Sequence, residues 1–506
     1  MARSFLWVCV GMLAAACGKH EPAEHEQTSP SRKPEAGITT SDDAAVVMRP
    51  DAARPAEPTK PDVPPDAPAK PAKDAAAPPN PTPDAAVSRD AQTPPPPMDA
   101  APTPPMDAAV PVPKTCVGTK PLEAWVADPK LCVYVFAENV RAARGMVFAP
   151  NGDLFLISAG SVVVLWDANN DGTSSMTERA TFGTAPSLNH GIAFSRDNKF
   201  LYVSSDTTVY RFTYANAQRS AQGAAQVVVS GIPPAGHSTR TLAFDSQGRL
   251  IVSVGSASNV DTAQSDWDLR SQIRRFTIPA TLPSGGLAYT SGEVIASGMR
   301  NEAGIFVDAD DRIWGVENGR DNLDHAELGG DIHNDNPGEE INLVDGQGPK
   351  FYGYPQCFSE FKLGAGRGLG AQWADQSLAA NLRRTDASCR DATQVRAPVY
   401  VMPAHWAPLG VIRYTGSALP MKGDLIIGAH GSWNRNPPSG RVIARARLQG
   451  TTVMGFEVLV GEKDSAGKLK EGNWNVRPVD VRQGPDDAVY FSDDNGGRVL
   501  KIGYAN

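Results

Sequence analysis

The chain has 506 residues, a net charge of −8 and an aromatic content of only 7%. An acidic balance without a basic run excludes a nucleic-acid binder, because phosphate backbones are held by clustered Lys and Arg. The 43 prolines are distributed unevenly, and that unevenness divides the chain.

At the N-terminus, Arg3 supplies a positive charge and residues 5–16 form an apolar run ending in small residues before Cys17. The run is too short to span a bilayer as a helix and reads as an export signal over residues 1–16. Leu13-Ala14-Ala15-Ala16-Cys17 resembles a bacterial lipobox, which makes Cys17 a lipid anchor. Gly18 and Lys19 follow without an inner-membrane retention Asp, so the expected destination is the outer membrane, on its periplasmic or cell-surface face. Residues 17–114 are then dominated by Pro, Ala and Asp and contain no aromatic residue. Such a segment cannot bury enough apolar surface to offset chain entropy, and its prolines predict an extended stalk.

The folded part is expected over residues 115–506, and one phrase recurs along it: an apolar strand, a polar turn with Gly, Asp or Asn, then another apolar strand. Copies stand at residues 146–156, 192–203, 242–252 and 305–315, with weaker ones at 409–427 and 479–492. Apolar alternation around such turns signals β-hairpins. The early copies are about 45–60 residues apart, the period of a propeller blade. Six copies predict an all-β, six-bladed β-propeller, whose closed ring removes exposed sheet edges. A two-sheet sandwich array would not explain the regular spacing. Cys9 leaves with the signal and Cys17 takes lipid, so Cys116, Cys132, Cys357 and Cys389 remain. An even number in an exported chain predicts two disulfides; proximity favours Cys116–Cys132 and Cys357–Cys389, although four cysteines allow three pairings.

Residues 167–178 carry a separate metal signal. Asp167, Asn169, Asp171 and Thr173 supply oxygen at alternate positions, Gly172 allows the turn, and Glu178 closes the twelve-residue pattern of a calcium (Ca2+) loop. The preceding Val162-Val163-Val164-Leu165-Trp166 reads as a strand, so the metal expected here is structural, pinning a turn between strands.

A series of phrases in the second half carries a family resemblance. Gly236-His237-Ser238-Thr239-Arg240, Gly298-Met299-Arg300-Asn301, Glu317-Asn318-Gly319-Arg320-Asp321 and Gly338-Glu339-Glu340-Ile341-Asn342 follow one another in order. Tyr352-Gly353-Tyr354-Pro355, Ala404-His405-Trp406-Ala407-Pro408-Leu409-Gly410, His430-Gly431-Ser432-Trp433-Asn434-Arg435 and Trp474-Asn475-Val476-Arg477-Pro478 continue it. Together they resemble the glucose/sorbosone dehydrogenase family, the soluble aldose sugar dehydrogenases that depend on pyrroloquinoline quinone (PQQ), with the sorbosone branch nearest. The resemblance implies oxidation of an aldose or sugar aldehyde by hydride transfer to the quinone, with calcium beneath the cofactor. The implied partners are a small sugar or aldehyde and an unspecified electron acceptor, with the membrane reached only through the N-terminal lipid.

By the same resemblance, His237 is the proton acceptor and Arg300 polarises the quinone carbonyl, with Asn301 beside it. Arg435, Arg477 and Arg240 hold the cofactor, and the Gly319 and Arg320 carbonyls hold its calcium. Imidazole suits the first role because it titrates near neutral pH, and guanidinium suits the second because it never loses its charge. One departure stands out. Glucose-oxidising members follow the histidine strand with Gly-Asp, whereas this chain has Gly255-Ser256. Serine cannot stabilise an imidazolium as a carboxylate does, which predicts a less basic His237 or help from another acid such as Asp261. Two other functions remain open at this level: a gluconolactonase-like metal-dependent lactone hydrolase, and a non-catalytic binding propeller displayed on the stalk.

Overall fold

Strand pairing follows the predicted repeat closely. The computed structural model describes residues 116–234, 236–262 and 269–505. The signal at 1–16, the anchor Cys17 and the stalk of 17–114 lie outside the described residues. Among these residues strand predominates, and the single α-helix is the short Asp386–Cys389.

Six sheets, antiparallel but for one short parallel pair at residues 229–230 and 287–288, form the blades of a β-propeller. Their first strands are Ala143–Phe148, Ile192–Phe194, Leu242–Phe244, Glu302–Val307, Pro408–Arg413 and Pro478–Gln483. Each begins in or beside one predicted copy, and each pairs with the strand that follows it in sequence. These six strands also pack on one another in succession around the ring. Three Val residues of Ser161–Leu165 show why the elements read as they do: β-branched side chains fit a pleated surface covered on both faces.

The last blade is completed from the other end of the folded part. Strand Leu131–Ala137 pairs antiparallel with Arg498–Tyr504, placing Val133 opposite Ile502 and Cys132 opposite Gly503. The ring is thereby closed by hydrogen bonds between residues far apart in sequence. The disulfide Cys116–Cys132, with Cα atoms 5.9 Å apart, ties the lead-in to this closing strand. The second disulfide, Cys357–Cys389, spans an insertion between strands Glu339–Val344 and Tyr400–Met402 of the fourth blade. Both pairings are the ones that sequence proximity favoured.

The core is a circle of apolar clusters, one between each pair of neighbouring blades. Phe155 and Phe182 of the first blade meet Leu201 and Phe212 of the second. Phe136 and Val499 of the sixth meet Met146 and Leu156 of the first, which buries the closing seam. The fifth and sixth blades share Ile412, Ile426, Phe491 and Leu500 in the same way.

Removing the Cys116–Cys132 bridge should therefore loosen the seam first. The bridge spans 16 residues, and the chain-entropy model assigns a loop of about that size about 3 kcal/mol. In Cys116→Ser/Cys132→Ser, hydrogen exchange at the amides of 131–137 is expected to accelerate more than exchange in the second and third blades. Equal protection in the two proteins would count against this role.

Candidate active site

Connections at one end of the inner strands converge on a cavity of about 430 Å³. His237 comes from the segment before Leu242–Phe244, Arg300 from the turn before Glu302–Val307, and His405 from the turn before Pro408–Arg413. Gly319 and Asp321 follow strand Ile313–Glu317, and Trp433 follows Leu425–Ala429.

Hydrogen bonds decide the tautomer of His237. Its Nδ1 lies 2.9 Å from Ser256 Oγ and 3.1 Å from the Ser256 carbonyl. Ser256 Oγ donates its own proton to the Ser258 carbonyl at 2.7 Å. Both groups facing Nδ1 are therefore acceptors, so Nδ1 carries the proton and Nε2 holds the lone pair. No described residue bonds Nε2. Burial and then the Arg300 guanidinium push the imidazole pKa down to about 4, so the ring is neutral at neutral pH. The neighbouring Gly255 is required by space, since a Cβ there would sit 2.7 Å from His237 Cβ. Asp261 does not assist His237; it pairs with Arg270 at 2.9 Å.

Arg300 is buried and held along its whole length. Its Nε donates to the Asn259 carbonyl at 3.0 Å and Nη1 to the Gly319 carbonyl at 2.7 Å. Nη2 reaches Asn259 Oδ1 at 3.0 Å and Asp321 Oδ2 at 3.1 Å, while the backbone amide donates to Glu317 Oε1 at 2.6 Å. Beneath it, the carboxyls of Glu302, Glu317 and Glu340 surround the amide nitrogen of Asn342 at 3.2, 3.2 and 3.3 Å. Burial raises all three carboxyl pKa values, that of Glu340 to about 7, because three anions cannot share one dry site.

On the other side of Asp321 stands His405. Its Nε2 donates to the His333 carbonyl at 2.5 Å and its Nδ1 is 3.5 Å from Asp321 Oδ1. Burial disfavours charge on this ring, but Asp321, Glu339 and the His333 carbonyl together raise its pKa. Both nitrogens face acceptors, so the imidazolium suits its surroundings, the opposite of His237. Glu339 accepts the Gly319 amide at 2.6 Å and the Ala407 amide at 3.0 Å, stapling two loops, and burial lifts its carboxyl to about 7. Asn322, His405 and Ala407 all hold positive φ, a strained state for residues with a Cβ that recurs around functional sites.

Of the residues expected from sequence, His237, Arg300 and Gly319 meet in this cavity, and Asn301 lies alongside, donating to Asn318 Oδ1 at 3.0 Å. Arg240 does not reach it. That side chain is fully buried and donates to the carbonyls of Asp206, Pro233, His237 and Thr239, so it shapes the loop bearing His237. The Arg320 side chain, which is not the group expected to meet calcium, bonds Asp375, Ser377 and the Asn322 carbonyl. Arg435 pairs with Asp335 at 2.9 Å, and Arg477 Nε donates to the His430 carbonyl at 3.1 Å; neither lines the cavity. In the loop 167–178, both Asp167 oxygens accept backbone amides, of Asp171 and Gly172, and both Glu178 oxygens accept those of Ala168 and Ser175. Asn169 donates to Asp171, and Thr173 Oγ1 meets Thr119 Oγ1. The loop thus closes on its own hydrogen bonds, and among the described residues no group of His, Cys, Asp and Glu side chains is gathered in position to hold a metal ion.

Sequence reading did not assign Asn259, Asp321, Glu339, His405 or Trp433 to the site. All but Asn259 sit inside the recognised phrases, but nothing in a phrase says that Asp321 bridges Arg300 and His405 across two blades.

A family model described as TrAA12-like matches residues 126–505. A protein of Hypocrea jecorina named pyrroloquinoline quinone-dependent sugar dehydrogenase is 34% identical over 298 residues, covering 55% of this chain and 67% of its own. A pyrroloquinoline quinone-dependent pyranose dehydrogenase of Coprinopsis cinerea is 31% identical over 310 residues, covering 59% of this chain but only 41% of the relative's length. The calcium structure of a Trichoderma reesei carbohydrate-active enzyme of family AA12 superposes with a TM-score of 0.66 at 28% identity, covering 77% of this chain and 99% of that one.

The Ser256 contact generates a direct test. A carboxylate at this position would stabilise imidazolium, so in Ser256→Asp the His237 pKa should rise from about 4 by at least ~1 unit. Nuclear magnetic resonance titration of the His237 ring carbons, assigned with His237→Gln, measures it. A pKa that stays in place would show that Ser256 does not control the ring.

Proposed function

Since the chain belongs to the TrAA12-like family, we propose that it is a PQQ-dependent sugar dehydrogenase that oxidises an aldose at C1 or the hydrate of a sorbosone-like sugar aldehyde. The observation that carries this reading is the pairing of a neutral His237, its Nε2 lone pair unshared, with a buried Arg300 in one cavity.

The residues present suit a flat, polyanionic quinone. The cavity is of small-molecule size, and Gly319 lies on its wall. Two cations outside it are incompletely satisfied: the terminal nitrogens of Arg477 bond no described group, and Arg435 Nε is buried without a partner. The family resemblance offers Arg435 and Arg477, which stand outside the cavity wall, for the cofactor carboxylates, and the carbonyls of Gly319 and Arg320 for its calcium. When bound, PQQ supplies the two-electron acceptor for the substrate hydride.

The chain's own residues do the rest. His237 Nε2 accepts the hydroxyl proton of the substrate, and Ser256 holds the ring so that only this nitrogen is basic. Arg300 places a permanent positive charge in a dry site, where charge is screened least. Asn259, Asp321 and Gly319 fix that guanidinium before substrate arrives, so little reorganisation is needed. Export and lipid anchoring through Cys17 belong to the same proposal, supported by two disulfides that persist in oxidising compartments.

In His237→Ala, cofactor titration followed by quinone absorbance should be unchanged while turnover of aldoses falls at least ~100-fold. Arg477→Ala should weaken reconstitution, with activity partly restored by excess cofactor. Protonation inactivates the base, so the wild-type rate should rise as pH climbs through about 4, below the ordinary imidazole range near ~6.5. Wild-type turnover in His237→Ala would overturn the assignment.

Calcium in the loop 167–178 is a separate part of the proposal, supported by its oxygen spacing and by the left-handed turn at Gly172. Ligand binding to the folded state alone raises its melting midpoint. Calcium should therefore raise the midpoint of wild type more than that of Asp171→Ala, relative to chelator. Equal shifts would remove calcium from this loop.

A further inference from the structure

Trp433 is the most exposed large hydrophobic side chain among the described residues, at 75%, and it lines the active cavity. A ring of this size is normally at least half covered, and one left open at the mouth of a pocket marks a contact surface. Hydrogen bonds hold the loop on either side of it. The Gly431 amide donates to the Trp406 carbonyl at 2.8 Å and the Ser432 amide to the Ser439 carbonyl at 2.9 Å. On the next residue, Asn434 Nδ2 donates to Asn322 Oδ1 at 2.7 Å and Asn434 Oδ1 accepts the Asn322 amide at 3.2 Å. Asn322 is itself part of the cavity wall.

An aromatic face left open beside planar amides is a chemical match for a sugar ring. The axial C–H groups of a pyranose form an apolar face that stacks on indole, while its hydroxyls meet the amides at the edge. Resting on the dehydrogenase reading above, we infer that Trp433 is the stacking platform that holds a pyranose ring at the mouth of the site, and so selects cyclic sugars over small acyclic aldehydes. Arg300 is buried in the same cavity, whereas the open ring faces what arrives from solvent. Because the loop is already ordered by its hydrogen bonds, binding costs little additional conformational entropy.

The test compares wild type, Trp433→Ala and Trp433→Phe, all loaded with PQQ and calcium, on a hexopyranose and on glycolaldehyde. Trp433→Ala should raise KM for the hexopyranose about 5- to 10-fold with kcat held, the scale of one aromatic contact. KM for glycolaldehyde should not move, Trp433→Phe should recover most of the loss, and all melting midpoints should coincide because the ring is exposed. Equal KM changes for both substrates, or none for either, would overturn the platform. Should wild type oxidise neither substrate, the dehydrogenase reading falls, and quenching of tryptophan fluorescence by the hexopyranose decides the platform alone. Quenching present in wild type and lost in Trp433→Ala would retain it; no quenching in wild type would overturn it.

Discussion

Every blade of this protein depends on burial by its neighbours. A single four-stranded antiparallel sheet has two faces, and here both are apolar, as the wholly buried Leu154–Ser158 and Leu250–Val254 show. Such a sheet is stable only when each face meets another sheet, and a row of sheets satisfies that condition everywhere only if it closes. The ring therefore stands or falls at the seam where Leu131–Ala137 joins Arg498–Tyr504. Phe136, Met146, Tyr490 and Val499 bury that seam, and the edge-on packing of Phe136 against Tyr490 at 5.1 Å lies within it.

Closure also creates the active cavity. His237, Arg300, Gly319, His405 and Trp433 come from connections of different blades, and their separation is set by the ring rather than by any local element. Inside the cavity, charge is balanced over a chain of groups. Arg300 shares Asp321 with His405, and His405 in turn sits within the field of Glu339. Taking an isolated charge out of water is costly, so each buried ion here is joined to an opposite charge or to backbone dipoles. The two histidines show what such surroundings do. Identical imidazoles are driven in opposite directions, His237 toward neutrality by burial and Arg300, and His405 toward charge by Asp321 and Glu339.

Ser256 gives the site a particular character. A hydroxyl that has already given its proton to the Ser258 carbonyl orients the His237 ring without adding negative charge. Orientation and basicity, which a carboxylate would supply together, are thereby separated. The imidazole stays neutral over a wide pH range, and its free nitrogen is only weakly basic.

Much of this was present in the sequence. The turn phrases determined where each pair of inner strands lies, because side-chain alternation and turn chemistry are local properties that need no tertiary context. The cysteine spacing favoured the two disulfides that form. Arg240 shows where such reading stops: its phrase suggested a cofactor contact, yet the folded chain turns its guanidinium onto four backbone carbonyls. Asp321, Glu339 and His405 were visible as letters and silent as a network, because their roles arise from contacts between blades. Local alternation and turn residues thus determined the elements and their number, while the tertiary structure alone decided which side chains meet. The physical reason is that hairpins form from neighbours in sequence, whereas a site at the centre of a ring is set by where the ring closes.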